Sequence, residues 1–180
     1  MEAVIVIDML NDFVTGDIKC VRADRIIPKI KRLIRGARRK DVPVIYSNDA
    51  HLPNDFEMGR WGRHAIKGTK GAEVIPELKP TEKDYVVEKR VYSGFFETGL
   101  DSLLRSLHVD AVILTGLHTH LCVRHTAADS FFRGYKIIIP HDAVESFTEK
   151  DHKEGLGYLK YAYNAEITET DKIIERWEKR

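Results

Sequence analysis

This chain carries almost none of the features that hold secreted or membrane proteins together. Only two cysteines, Cys20 and Cys122, occur in 180 residues. That is too few for a disulfide framework, and unpaired thiols suit a reducing compartment. The longest apolar runs, around Ala3–Ile7 and Ala111–Leu114, fall far short of the ~20 residues that cross a bilayer. The opening Met-Glu-Ala-Val has neither a basic n-region nor a cleavage site, so a cytoplasmic protein with no membrane partner is expected. Charge of one sign is not in excess: 29 Lys and Arg stand against 28 Asp and Glu, for a net charge of +1. Electrostatic capture of nucleic acid therefore has no support. Glutamine is absent and asparagine appears four times, while Lys, Arg and Glu abound, a bias shared with thermophile proteins.

What remains is the composition of a compact domain, 43% apolar and 32% charged. A chain of this length buries roughly 70% of the surface it exposes when unfolded. One domain over residues 1–180 then needs no metal to fold, and a metal site in it is to be read as functional.

Short β-branched runs alternate with amphipathic stretches. Ala3–Ile7 is uniformly apolar, as in a strand covered on both faces. Asp24 is expected to cap a helix with apolar positions Ile26, Ile27, Ile30, Leu33, Ile34 and Ala37, with Pro28 in its first turn. Further strands are predicted at Val42–Ser47, Tyr85–Glu88, Ala111–Thr115, Lys136–Ile139 and Ala165–Thr168. Helices are predicted after Thr98, from about Leu121 to a C-cap at Gly134, over Glu149–Tyr163 and over Asp171–Lys179. Residues 48–80 are irregular, with a short helix near Ala72–Glu77. Six strands alternating with helices imply right-handed crossovers and a three-layer α/β/α fold around a mostly parallel sheet.

Ligands bind such sheets beyond the carboxyl ends of the strands, which selects Asp8, Asp49 with His51, Lys89 and the segment His118–Cys122. The turn after the first strand, Asp8-Met-Leu-Asn-Asp12-Phe13, contains no glycine, so no nucleotide cofactor is expected. Asp8 is either a turn cap or a functional carboxylate, and Lys89 either a solvated strand end or a functional cation. Cys122 lies between a buried strand and a helix start, where unpaired N–H groups and the macrodipole favour a thiolate; the alternative is a small buried apolar residue. Cys20 belongs to a loop and has no assigned role. An acid, a lysine and a thiol from three strand ends form a unit suited to attack on an amide. Asp8 takes and returns the thiol proton, Lys89 stabilises the charged forms, and N–H groups near Cys122 bind the oxyanion.

Five ordered segments carry a resemblance. They are Val-Ile-Asp8-Met-Leu-Asn-Asp-Phe13; Asn-Asp49-Ala-His51-Leu-Pro; Trp61-Gly-Arg-His64-Ala-Ile-Lys-Gly-Thr-Lys-Gly-Ala-Glu; Lys89-Arg-Val-Tyr92-Ser-Gly-Phe95; and Thr-Gly-Leu-His118-Thr-His-Leu-Cys122-Val-Arg-His-Thr-Ala-Ala-Asp129. Over nearly its whole length the chain resembles the isochorismatase-like cysteine hydrolases, a group that includes nicotinamidases and N-carbamoylsarcosine amidases. The resemblance implies a Rossmann-like sheet, a catalytic Asp8–Lys89–Cys122 triad and a thioester intermediate. It also implies a non-proline cis peptide between Leu117 and His118 that turns the His118 and Cys122 N–H groups into an oxyanion hole. Phe13, Trp61 and Tyr92 fall in segments that wall the substrate pocket. Members that cleave the vinyl ether of isochorismate typically lack the cysteine, so Cys122 favours an amidase.

Asp49, His51 and His64 look like the Asp, His, His set with which nicotinamidases hold a divalent ion, zinc first, beside the substrate pyridine. Their alternative is a role as loop hydrogen-bonders. Leu10 and Ala50 stand where nicotinamidases usually carry Gln and Trp. A second cluster, His118, His120 and Cys122 with His125, straddles a strand-to-helix corner and is not expected to converge on a metal. His120 and His125 read instead as packing or subunit-contact residues. The implied activity is hydrolysis of a small planar amide, nicotinamide leading, in an enzyme that assembles as a homo-oligomer. The rivals are a metal-free carbamoyl or ureido amidase, an isochorismatase-type hydrolase, and a non-catalytic doubly wound ligand-binding domain.

Overall fold

The computed structural model describes residues 1–16 and 18–179. Its strands are β1 (Glu2–Ile7), β2 (Val44–Asp49), β3 (Tyr85–Lys89), β4 (Ala111–Leu117), β5 (Lys136–Pro140), β6 (Val144–Glu145) and β7 (Glu166–Thr168). Its helices are α1 (Asn11–Val14), α2 (Ile27–Arg39), α3 (Met58–Trp61), α4 (Leu100–Ser106), α5 (Cys122–Phe132), α6 (Glu149–Tyr163) and α7 (Thr170–Glu178). The sheet runs β3-β2-β1-β4-β5-β7, and β6 pairs with the far end of β4. Every strand pairing is parallel.

Alternation along β1 explains the three layers. Val4 and Val6 join a core with Ile30, Leu33 and Ile34 of α2 and Ile173 and Trp177 of α7. Ala3, Ile5 and Ile7 point the other way, into a core with Leu104 of α4, Val123 and Ala127 of α5 and Leu159 of α6. Two helical layers cover a strand that has no solvent face, which is why its sequence is uniformly apolar. Among the described residues no helix is long and apolar enough to cross a membrane.

The six predicted strands are all present, and β6 is an addition, too short to leave a periodic signal. Asp24 does not cap α2: it sits in a 3-10 turn over Ala23–Arg25, and the helix begins after Ile26 with no side-chain cap and with Pro28 in its first turn. Thr98 precedes the cap of α4 by one residue, yet its hydroxyl still accepts the Leu100 N–H at 3.2 Å. The predicted short helix near residues 72–77 resolves into two 3-10 turns, Lys70–Ala72 and Pro76–Leu78. The second strand ends two residues later than predicted, at Asp49, and this shift matters for the site.

Candidate active site

The strand order places the carboxyl ends of β3, β2, β1 and β4 side by side. Adjacent strands lie about 4.8 Å apart, so residues at neighbouring ends meet directly, and the long Lys89 side chain reaches from β3 past β2 to Asp8 after β1. Asp49 and Lys89 are register partners at the ends of β2 and β3. Asp8 follows β1 with φ of 53°. Gly116, opposite Ile7, has φ of +99°, and a Cβ there would fall 2.0 Å from the Ile7 carbonyl oxygen. Only glycine lets β4 approach this closely before the chain turns through a cis Leu117–His118 peptide into α5, which starts at Cys122.

Lys89 is 1% exposed, and its Nζ lies 2.8 Å from Asp8 Oδ2 and 2.5 Å from Asp49 Oδ1. The Asp49 N–H donates to Asp8 Oδ1 at 2.8 Å. Polar atoms of Asp8, Asp49 and Cys122 all fall within 4.8 Å of one another. Three residues selected by sequence are thus in contact, and Asp49 joins them. Burial works against the Lys89 cation, yet Asp49 and Asp8 more than offset it and hold the ammonium charged. Burial, with Asp49 beside it, raises the Asp8 carboxyl to about 6 despite Lys89.

Cys122 requires a correction. Its place at a helix start is as expected, but the thiol is not shifted toward thiolate. Burial, joined by the charges of Asp8 and Asp49, pushes it well above its ordinary value and outweighs Lys89. The group at rest is a thiol facing a carboxylate. The Cys122 N–H, at the first turn of α5, is one of the donors a helix leaves without an internal partner. The His118 N–H has no backbone acceptor among the described residues.

Asp49, His51 and His64 are buried and offer ligand atoms within 4.8 Å of one another. His51 Nδ1 lies 3.3 Å from Asp55 Oδ2, and its Nε2 is buried with no hydrogen-bond partner, facing Asp49 Oδ2 at 3.5 Å and Glu57 Oε2 at 4.0 Å. His64 Nδ1 lies 2.8 Å from the Gly62 carbonyl. One nitrogen of each imidazole is thereby oriented by an outer acceptor while the other is left for the cluster, the arrangement metal-ligating histidines use. Four buried carboxylates, Asp8, Asp49, Asp55 and Glu57, face the cations Lys89 and Arg90. Glu57 is pushed up to about 7 by burial and by Asp49. The donor set fits a divalent cation. The His118, His120 and Cys122 cluster does not form among the described residues. His120 Nδ1 is 2.9 Å from Ser146 Oγ, and His125 Nδ1 is 2.9 Å from the Leu121 carbonyl.

A narrow cleft of about 20 Å³ opens onto Cys122, lined by Phe13, Trp61 and Tyr92 as the sequence suggested, and also by Ile18, Glu57, His118, Leu121 and Phe147. The Trp61 indole donates to Tyr92 Oη at 2.9 Å. Phe147 stacks on His118 with ring centroids 4.0 Å apart. Burial, with His120 nearby, lowers His118 to about 3, so its ring is neutral. Sequence reading missed Phe147, Glu57, Asp55 and the task of Asp12. Asp12 Oδ2 accepts the Ala65 N–H at 2.7 Å, pinning the loop that carries His64 onto α1, and a Cβ on Gly71 would fall 2.1 Å from that carboxylate. The i to i+4 spacing of His51 and Asp55 was the one available signal for the outer acceptor.

Comparison with known proteins matches residues 2–172 to the family model of the isochorismatase domain. An N-carbamoylsarcosine amidase structure from Thermoplasma acidophilum is 42% identical, covers 94% of this chain and 96% of its own, and superposes with a TM-score of 0.89. Nicotinamidase 3 of Arabidopsis thaliana is 33% identical over 95% of this chain and 86% of its own. A pyrazinamidase of Pyrococcus horikoshii, solved in complex with zinc, is 31% identical over 93% of this chain and 98% of its own, with a TM-score of 0.87.

Proposed function

The chain belongs to the isochorismatase family, and we propose that within it this protein is a cysteine amidohydrolase for a small, neutral, planar amide, with nicotinamide the leading substrate. The observation that carries the substrate class is the cleft wall. It is built from Phe13, Trp61, Tyr92, His118, Leu121 and Phe147, and its charged members are the carboxylates Asp49 and Glu57. A flat ring gains stacking area there. A carboxylate-bearing substrate meets no lining Lys or Arg to pair with.

In the proposed reaction Asp8 accepts the Cys122 proton as Sγ attacks the amide carbon. The oxyanion takes hydrogen bonds from the His118 and Cys122 N–H groups, and Lys89 balances the carboxylates throughout. Collapse breaks the C–N bond, and Asp8 returns the proton to the departing ammonia, leaving a thioester. Water, deprotonated by Asp8, then attacks the thioester carbon, and loss of the thiolate, reprotonated from Asp8, releases the acid. One amide and one water become one acid and one ammonia. Asp49, His51 and His64 would hold the divalent ion, which supplies an electrophile for a ring-nitrogen lone pair.

A second reading, cleavage of an N-carbamoyl amino acid, draws support from the identity to the Thermoplasma protein; the lack of a lining Lys or Arg disfavours its anionic substrate. Ammonia release from nicotinamide, benzamide and N-carbamoylsarcosine, before and after chelation, separates the readings. Nicotinamide is expected to turn over at least tenfold faster than benzamide, a gap that closes on chelation, because benzamide has the same shape without the ring lone pair. Preferred turnover of N-carbamoylsarcosine moves the assignment to a carbamoyl amidase.

A further inference from the structure

Glu145 carries a carboxylate that the reaction above does not use. It forms half of the two-residue strand β6, its side chain is 6% exposed, and it is absent from the cleft lining. A buried carboxylate in so short an element calls for an account, because burying a charge is costly unless it is paired. Its partners all belong to segments that surround the nucleophile. Glu145 Oε1 accepts the Ser146 N–H at 3.0 Å, lies 3.1 Å from Arg22 Nε and is 3.7 Å from His152 Nδ1. The same His152 nitrogen is 2.9 Å from the hydroxyl of Thr119, which is fully buried between His118 and Cys122 in the chain. The Glu145 backbone carbonyl accepts the Thr119 N–H at 2.9 Å.

The neighbours of Glu145 extend the brace. Ser146 Oγ is 2.9 Å from His120 Nδ1, and the Cys20 thiol donates to the Ser146 carbonyl at 3.3 Å. Phe147, next in the chain, stacks on His118 and walls the cleft. Gly155 of α6 closes the far side: a Cβ there would come within 3.1 Å of the His120 nitrogen and the Thr119 methyl. Thus the turn from β4 into α5, which holds both N–H groups assigned to the oxyanion, is gripped by β6, and β6 is gripped through one ion pair by the loop that follows the cleft residue Ile18.

We propose that Glu145, with Arg22 as its counter-ion, is a positioning residue that holds the His118–Cys122 corner in register for oxyanion binding. This rests on the amidohydrolase reading. A group that positions transition-state donors without touching substrate acts on kcat and leaves KM nearly alone. Misplacement of reacting geometry by about 1 Å can cost on the order of 100-fold in rate.

The test compares wild type with Glu145→Gln, Glu145→Ala and Arg22→Met. It follows kcat and KM for the amide that wild type hydrolyses best, and iodoacetamide labelling of Cys122 resolved from Cys20 by peptide mapping. Expected are kcat losses of roughly tenfold for Glu145→Gln and Arg22→Met and roughly 100-fold for Glu145→Ala, KM within about threefold, and slower Cys122 labelling in the same order. Glu145→Gln keeps the shape and one acceptor, so it remains informative if Glu145→Ala fails to fold. Folded variants with kcat and labelling rates within threefold of wild type overturn the proposal, as does a loss confined to KM. Wild type inactive on every amide would instead remove the functional reading, and the labelling order then decides the positioning role by itself.

Discussion

At the scale of single residues, the site is a balance of buried charges. Lys89 touches two carboxylates, and Cys122 sits against the same pair. All four groups are buried, so each sets the ionisation of the others. Residues that work as one unit lose nearly everything when any member is removed. Asp8→Asn, Lys89→Ala and the double variant are therefore expected to fall to about the same residual turnover, and Cys122→Ala to none. Steady-state ammonia release checks this; losses that multiply would show that one of the residues serves only the fold. Lys89→Ala also strands two buried acids, and a stability loss of about 3–5 kcal/mol by urea unfolding is expected with it.

At the scale of elements, β3 is the vulnerable piece. It is the edge strand that delivers Lys89, paired on one side with β2, and Tyr85, Val86 and Glu88 along it are exposed. Its start is clamped by Asp84, which accepts the Arg38 Nη2 at 2.5 Å and the Thr81 N–H at 2.7 Å, tying the strand to α2. Although burial opposes it, the Arg38 and Thr81 partners hold the Asp84 carboxyl below its ordinary 3.8. A depressed carboxylate stabilises the fold above the unfolded value, and that stability is lost as pH falls through the folded value. Asp84→Asn is expected to cost about 1–2 kcal/mol at neutral pH. The gap between wild type and variant should shrink below about pH 4 in urea titrations. A gap independent of pH would mean that shape, not charge, makes the clamp.

At the scale of the whole molecule, two cores on either side of the sheet carry the fold without the Asp49, His51 and His64 cluster. A divalent ion binding only the folded chain stabilises it by mass action, about 2.7 kcal/mol at a hundredfold excess over Kd. For a domain of this size that corresponds to a rise of roughly 5–10 °C in Tm. Added zinc is expected to produce such a rise in wild type and none in His51→Ala, and chelation should return wild type to its baseline still folded. The same Tm in wild type with and without zinc would reduce the three residues to loop hydrogen-bonders and leave the amidase reading standing.

The amino-acid sequence by itself determined the layers and most of the candidate chemistry. Apolar runs such as Ala3–Ile7 point to a doubly covered strand, and ligands bind parallel sheets beyond their carboxyl ends, so Asp8, Lys89 and Cys122 stood out in the sequence as candidates. Periodicity and turn chemistry are local, and a linear reading captures them. Other features arise from segments far apart in the chain. The pairing of Asp49 with Lys89 depends on a register across 40 residues. Glu57 and Phe147 reach the cleft from loops, and Glu145 lies outside it on a two-residue strand, with no pattern to announce any of them. The ionisation of Cys122 could not be read locally either: its helix start favours the thiolate, but desolvation and neighbouring carboxylates depend on everything packed around it, and tertiary structure decided for the thiol.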